Sequence, residues 1–454
     1  VTTPSLRREL RPTLALALPI VVGQVGQMLI GLTDTAMIGR IGTLPLAAAA
    51  FTQAVFVVFF LGGLGLLLPV GVYTARDFGA GKPKDCTAWL RHGRALAWGV
   101  GLFSFGLLAA LSTQLHRFGQ PAEVVAIMQP FFLLISASLI PVLLFQVQRQ
   151  FAESLGHPWI PMVVMLVDVA LNAWLNWLLI WGHWGFPELG LLGAGIATLI
   201  ARIAAVVALA IFLRRARSLA FVRSREPWHW EFARFRTLLA MGMPICASLL
   251  FEAGLFAAAA ILMGWLGTTP LAAHQIALSC AGFTFMFPLG VATAVSMRVS
   301  KSVGAGQRDS ARAIGFGGMA ISAVVMAVFA LIFAVAGEAL SAVFSVDRAV
   351  VSLAGTLLAI AAIFQVFDGG QVVAVGALRG LGDVRIPTVI TFISYWMISL
   401  PAGYGLAFHT ALGPVGVWIG LAVGLGFAAA LLTWRFHRLT GIGAPPPAVS
   451  ETRS

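Results

Sequence analysis

Apolar runs of twenty residues or more recur along the whole chain, broken only by short polar joints. A helix that crosses a bilayer needs roughly 20 mostly apolar residues. Twelve runs meet that length, at 14–38, 45–70, 93–113, 130–150, 160–182, 190–213, 237–266, 270–297, 313–335, 353–377, 388–408 and 413–435. Joints such as "GRIGTLP" (39–45) and "GWLGTTP" (264–270) leave room only for a reversal, so they predict hairpins of consecutive spans. The pattern predicts an all-α integral membrane protein with twelve transmembrane helices.

Composition agrees. The 454 residues are 59% hydrophobic and 10% charged, with a mean hydropathy of +0.94, against about 25% charge in a soluble domain. Glycine (49) and phenylalanine (32) are abundant, as suits helices packing closely in lipid. The pI of about 11.0 invites a nucleic-acid reading, but the placement of the charge argues against one. With an even number of spans, the termini share one side with the 2–3, 4–5, 6–7, 8–9 and 10–11 loops. That side carries 25 of the 29 Lys and Arg, and the other carries only Arg40, Arg117 and Arg348. Such a bias predicts both termini in the cytoplasm and no nucleic-acid partner. The first run is too long for a signal peptide, so "VTTPSLRRELRP" reads as a cytoplasmic tail before span 1. Cys86, Cys246 and Cys280 show no ligand spacing and predict no disulfide.

The chain repeats itself. "IGTLPLAA" (41–48) returns as "LGTTPLAA" (266–273), "GAGK" (79–82) as "GAGQ" (304–307) and Pro19 as Pro244, all at one constant offset. "LGHPWIP" (155–161) returns as "LGDVRIP" (381–387), with the offset longer by a single position. Six spans per copy give both copies one orientation, related by an axis along the membrane normal. The expected domains are an N-terminal six-helix lobe (1–213), a cytoplasmic linker (214–236), a C-terminal lobe (237–440) and a disordered tail (441–454). The linker's Arg residues with Trp228, Trp230, Phe232 and Phe235 suit a segment lying on the membrane surface; a solvated basic linker is the other reading.

A charged aspartate near a bilayer centre costs about 2.5–3.5 kcal/mol on insertion scales. Four acids nevertheless fall within spans: Asp34, Asp168, Glu252 and Asp368. Each is a transport candidate, or else a carboxylate neutralised by a packing partner. Glu252 and Asp368 lie at similar depth, about 22 Å into their spans at 1.5 Å per residue. Two such carboxylates suit a shared cation or proton. Phe364, one turn before Asp368, offers a ring face to a cation or simply packs. In span 5, Asp168, Asn172 and Asn176 recur every fourth residue and form one polar stripe. Asn176, Thr198 and Asp34 are expected near the outer side, where they form either a hydrogen-bonded carboxyl cluster or helix glue. Arg202 is the one basic residue set deep in a span, to pair with an acid or to snorkel. No two His stand at i, i+4 and no Ser–His–Asp signature occurs, so no hydrolase is indicated. The two GAG loops lack a P-loop ending, which leaves an ATP-driven pump without a nucleotide site.

"LALPIVVGQVGQMLIGLTDTAMIGRIG", "GMPICASLLFEAGLFAAAAILMGWLG" with "LAAHQIA", and "FQVFDGGQVVAVGALRGLGDVRIP" carry a resemblance over nearly the whole chain. They are similar to spans 1, 7–8 and 10 of the multidrug and toxic compound extrusion (MATE) transporters, particularly the NorM-like bacterial branch. Asp34, Glu252, Asp368, Arg379, Gly380 and Asp383 stand at the family's motif positions, and "NAWLN" and "GAGIAT" supply Asn172, Asn176 and Thr198. The resemblance implies two six-helix bundles forming a V, and efflux of organic, mostly cationic compounds against inward Na⁺ or H⁺. It implies a functional monomer in the inner membrane, with lipid as its surroundings and no cofactor beyond the coupling ion. It associates a monovalent cation with Glu252 and Asp368, and protonation with Asp34. Phe364 stands where relatives can carry tyrosine, which removes a hydroxyl from the cation's neighbourhood. A flippase of lipid-linked saccharides is the alternative within transport, but it calls for a basic cavity, and Arg202 stands alone against four acids. An intramembrane enzyme is the alternative outside transport, and it lacks a nucleophile–base pair.

Overall fold

The computed structural model describes residues 6–118, 121–223 and 230–441. Among these, twelve stretches of helix are long and apolar enough to cross a membrane, and no strand occurs. Without water in the hydrocarbon, each span must satisfy its own backbone, and helix is the local way to do so. The tail from 442 and the linker residues 224–229, including Trp228, lie outside the described residues.

The chain divides into two compact units, Val22–Cys246 and Val1–Val21 with Ala247–Ser454. The division falls inside two long helices, α1 (Leu6–Gly39) and α9 (Phe232–Leu266), at equivalent points of the sequence repeat.

The unit Val22–Cys246 contains α2 (Thr43–Leu67), α3 (Pro69–Gly79), α4 (Pro83–Ser112), α5 (Ala122–Ala137), α6 (Leu139–Ser154), α7 (Trp159–Ile180) and α8 (Gly190–Arg215). The second span breaks into α2 and α3 at Pro69, which has no N–H to continue the ladder. The fourth breaks at Ser138, just before Pro141. The linker's Arg217–Arg223 forms a 3₁₀ turn whose Leu219 is buried in this unit's core. The first stretch of α9 is held to α4 by Arg234. Its guanidinium bonds Asp85 at 2.7 Å and Glu231 at 2.6 Å, and lies 4.8 Å from the centre of the Trp89 ring.

The other unit contains α10 (Thr268–Gly304), α11 (Arg308–Ala342), α12 (Arg348–Leu381), α13 (Arg385–Phe392), α14 (Leu400–Phe408) and α15 (Pro414–Leu439). A π-helical turn, Ile393–Ser399, joins α13 to α14. Here the first stretch of α1 is held to α10, because Arg298 bonds Glu9 and Thr13. Helices α10 and α12 come close along Gly376 and Gly380. A Cβ at either would collide with the carbonyl of Ala292 or Ser296.

The repeat is visible in the backbone. Gly42 and Gly267 take φ of 144° and 127°, Gly81 and Gly306 take 72° and 73°, and Gly156 and Gly382 both take 85°. Side chains rarely adopt these angles, so glycine marks each reversal. At the last two pairs, the residue after the glycine closes a helix-ending hydrogen bond of the Schellman type. Lys82 N donates to Asp77 O and Gln307 N to Ser302 O at 2.9 Å; His157 N donates to Ala152 O and Asp383 N to Leu378 O at 3.0 Å. The repeat extends to packing. A Cβ on Gly65 would run into the Cys246 backbone, and one on Gly290, the equivalent position of the second copy, would run into Val21. Each unit therefore needs a glycine where the first helix of the opposite sequence repeat packs against it.

Several helices run further than their apolar runs. The expected span 45–70 continues to Gly79, and 270–297 to Gly304. Hydropathy marks only the part immersed in hydrocarbon, whereas the helix continues until a glycine cap stops it.

Candidate coupling sites

In the unit Val22–Cys246, the stripe on α7 meets α1 and α8. Asn176 Nδ2 donates to Asp34 Oδ1 at 2.6 Å and to Asn172 Oδ1 at 3.2 Å. The one Thr198 Oγ1 proton has two acceptors in reach, Ala194 O at 2.9 Å and Asp34 Oδ2 at a long 3.5 Å, and the oxygen receives Asn172 Nδ2 at 3.4 Å. Asn172, Asn176 and Thr198 are buried and Asp34 is partly exposed. Both carboxyl oxygens thus face neutral donors. Asn176 Oδ1 has no hydrogen-bond partner among the described residues. This arrangement holds a carboxylate without cancelling its charge, as a site that exchanges cations needs.

One helical turn further along α7 and α8 lie Asp168 and Arg202. Asp168 is buried, and its Oδ1 has no partner among the described residues. Arg202 is partly buried; its Nη1 donates to Ser138, and its guanidinium sits 4.7 Å from the centre of the Phe56 ring. Among the described residues it forms no direct salt bridge, but it interacts electrostatically with both Asp34 and Asp168.

In the other unit, Asp368 is buried in α12 and its Oδ1 has no partner among the described residues, while Glu252 on α9 is partly exposed. The two carboxyls interact electrostatically, and both act on Tyr395. Glu252 also feels Arg379. Tyr395, in the π-helical turn, receives Gln371 Nε2 at 2.5 Å, and Gln371 Oε1 is buried without a partner among the described residues. Gln365 is buried, and neither of its side-chain polar atoms is bonded among the described residues. Phe364 packs between Trp418 (5.7 Å) and Phe256 (6.3 Å), a setting of ordinary aromatic packing.

The sequence reading missed several of these groups. Gln365, Asp368 and Gln371 recur every third residue, so "FQVFDGGQ" held a signal for the polar face of α12. Tyr395 had none, since only folding brings it beside Gln371. The set of acids within spans was also too short. Glu153, placed in a loop, lies inside α6 at 2% exposure. Arg149 Nε pairs with it at 2.7 Å and Nη1 reaches Gln24 at 3.3 Å. An i, i+4 pair of opposite charge lets a helix carry both groups further inward than either goes alone.

Twelve apolar helices among the described residues, in two repeated halves and with carboxylates set among neutral groups, mark a multi-spanning membrane protein. The MatE family model matches residues 19–178 and 244–405, two segments that begin at Pro19 and Pro244, a pair the internal repeat aligns. The chain belongs to the MatE family. It is 37% identical over 444 residues to a probable multidrug resistance protein NorM of Pseudomonas putida, covering 95% of this chain and 96% of that one. A protein of the same name from Rhodopseudomonas palustris is 38% identical over 450 residues, covering 96% and 93%. Among solved structures, a mutant of the Vibrio cholerae MATE transporter VcmN gives a TM-score of 0.89 at 22% identity, covering 97% and 99%. An outward-facing multidrug resistance MATE family transporter gives 0.87 at 19%, covering 97% and 100%. At these identities the structures speak for the fold alone. Relatives named as multidrug resistance proteins lend the enzyme alternative no support.

Proposed function

We propose that this protein is a multidrug efflux antiporter, moving organic and mostly cationic compounds out of a bacterial cell in exchange for Na⁺ or H⁺. The observation that carries this reading is the Asp34 site, where one carboxyl is held by Asn176 and Thr198 with no cationic side chain in direct contact among the described residues. Near the hydrocarbon such a group demands a proton, a metal ion or an organic ammonium, and exchange among them is antiport. Glu252 and Asp368 supply a second pair of charges, with Tyr395 and the Gln371 oxygen as neutral neighbours. Both sites together need no organic cofactor, and each unit contains its own, in keeping with a functional monomer. The flippase reading fits less well, since both sites are built around acids.

The test is efflux of a fluorescent organic cation from proteoliposomes, with Na⁺ and pH gradients imposed separately. Transport under either gradient is expected, and none under both would remove the antiport reading. Direction rests on topology, for which 25 basic residues against three supply the support. In a background lacking native cysteines, Gln307→Cys is expected to resist membrane-impermeant thiol reagents in intact cells, while Ser345→Cys reacts. The reverse pattern would invert the orientation.

A further inference from the structure

We propose that Arg202 and Asp168 are the fixed counter-charge of the Asp34 site, leaving it one net negative charge, so that it binds one monovalent cation equivalent at a time. This rests on the reading of Asp34 as a coupling carboxyl and adds its charge stoichiometry. Thr198 and Arg202 are one turn apart on α8, as Asn172 and Asp168 are on α7, and Asn172 bonds Thr198 across the two helices at 3.4 Å. The Arg202–Asp168 layer therefore lies directly beneath the Asp34 layer.

Arg202 is fixed there by neutral groups, Ser138 from the α5–α6 break and the Phe56 ring from α2. The charged groups that act on it are Asp34 from α1 and Asp168 from α7. Arg202 acts in turn on both acids. The set holds two acids and one guanidinium. With both acids ionised its net charge is −1, and one proton or one organic ammonium neutralises it. A second cation would create a buried positive charge. Asp168 is required because Arg202 alone against Asp34 would leave a neutral site with nothing to attract a cation. Asp168 is 6% exposed and interacts with Arg202 without a direct salt bridge among the described residues. Arg202 is thus a positioning residue acting through Asp34.

The experiment is ethidium binding to the purified full-length protein from pH 5 to 9, with melting temperatures for every variant. A cation competes with protons for Asp34, so binding rises with pH through a midpoint. Arg202→Gln removes the counter-charge and is expected to move that midpoint up by about one pH unit or more. Asp168→Asn should move it down by a similar amount and weaken binding. The double variant should return close to wild type, and Arg202→Lys should keep the wild-type midpoint. Coincident midpoints in all variants, or a double variant that retains the Arg202→Gln shift, would overturn the proposal. Asp34→Asn separates the two levels. It should remove the midpoint that Arg202→Gln and Asp168→Asn shift, leaving only the pH dependence that Glu252 and Asp368 contribute; if that midpoint survives, the coupling role of Asp34 falls too, whereas coincident midpoints with an Asp34-sensitive profile remove only the counter-charge assignment.

Discussion

Asp34→Asn is expected to abolish gradient-driven efflux while the protein still folds and reaches the membrane in normal amounts. The geometry explains why the two should separate. An asparagine at 34 keeps an oxygen for Asn176 Nδ2, now 2.6 Å from the carboxyl, and turns its own amide toward Thr198. Thr198 Oγ1 already donates to Ala194 O at 2.9 Å, so it has a lone pair free to receive that amide. The hydrogen bonds survive, but the group that exchanges cations is gone. Coupling free energies of about 1–3 kcal/mol correspond to about 5- to 150-fold, and the gradient-driven part of efflux should fall by that factor. The check is accumulation of a fluorescent cation in cells at matched membrane abundance. Wild-type efflux would leave Asn172, Asn176 and Thr198 as helix glue and nothing more.

Glu252→Gln and Asp368→Asn are each expected to lose most of the efflux, and the double variant little more than either. The two carboxyls interact with each other and with Tyr395, so a cation held between them sees one unit. Groups that act as one unit give strongly non-additive losses. A drug cation that displaces the ion must also weaken its binding by the factor by which the ion weakens the drug's. The structure adds an asymmetry. Glu252 interacts with Arg379, whose Nε is buried without a partner among the described residues. Glu252→Gln should therefore lower the melting temperature as well as efflux, and Asp368→Asn should affect efflux alone. Efflux and melting measured on wild type, both singles and the double decide the matter. Losses that multiply independently would mean two unrelated acids, and equal melting temperatures would remove Arg379 from the site.

Much of the Asp34 cluster could be read from the chain because helical periodicity is local. Spacing by fours on α7 puts Asp168, Asn172 and Asn176 on one face whatever surrounds them. Glu252 and Asp368 were legible for a different reason, as charges in runs that otherwise hold almost none. Glu153 escaped because a boundary drawn by hydropathy ended at 150, and a paired charge extends a helix past that limit. Tyr395 escaped because aromatic residues are ordinary in a membrane span, and only its partner distinguishes it.

The sequence by itself determined the number of spans, the internal repeat and the reversals at Gly42, Gly81 and Gly156 with their counterparts in the second half. Each depends on hydrophobic length or backbone freedom, which neighbours in the chain settle among themselves. Tertiary structure decided where the compact units divide. Gly65 meets Cys246 and Gly290 meets Val21, in each case from opposite halves of the sequence, and nothing local encodes such a crossing. It also decided what Arg202 does. A lone arginine in an apolar run can snorkel, pair or stack, and only the placement of Phe56, Ser138 and two acids from other helices selects among these.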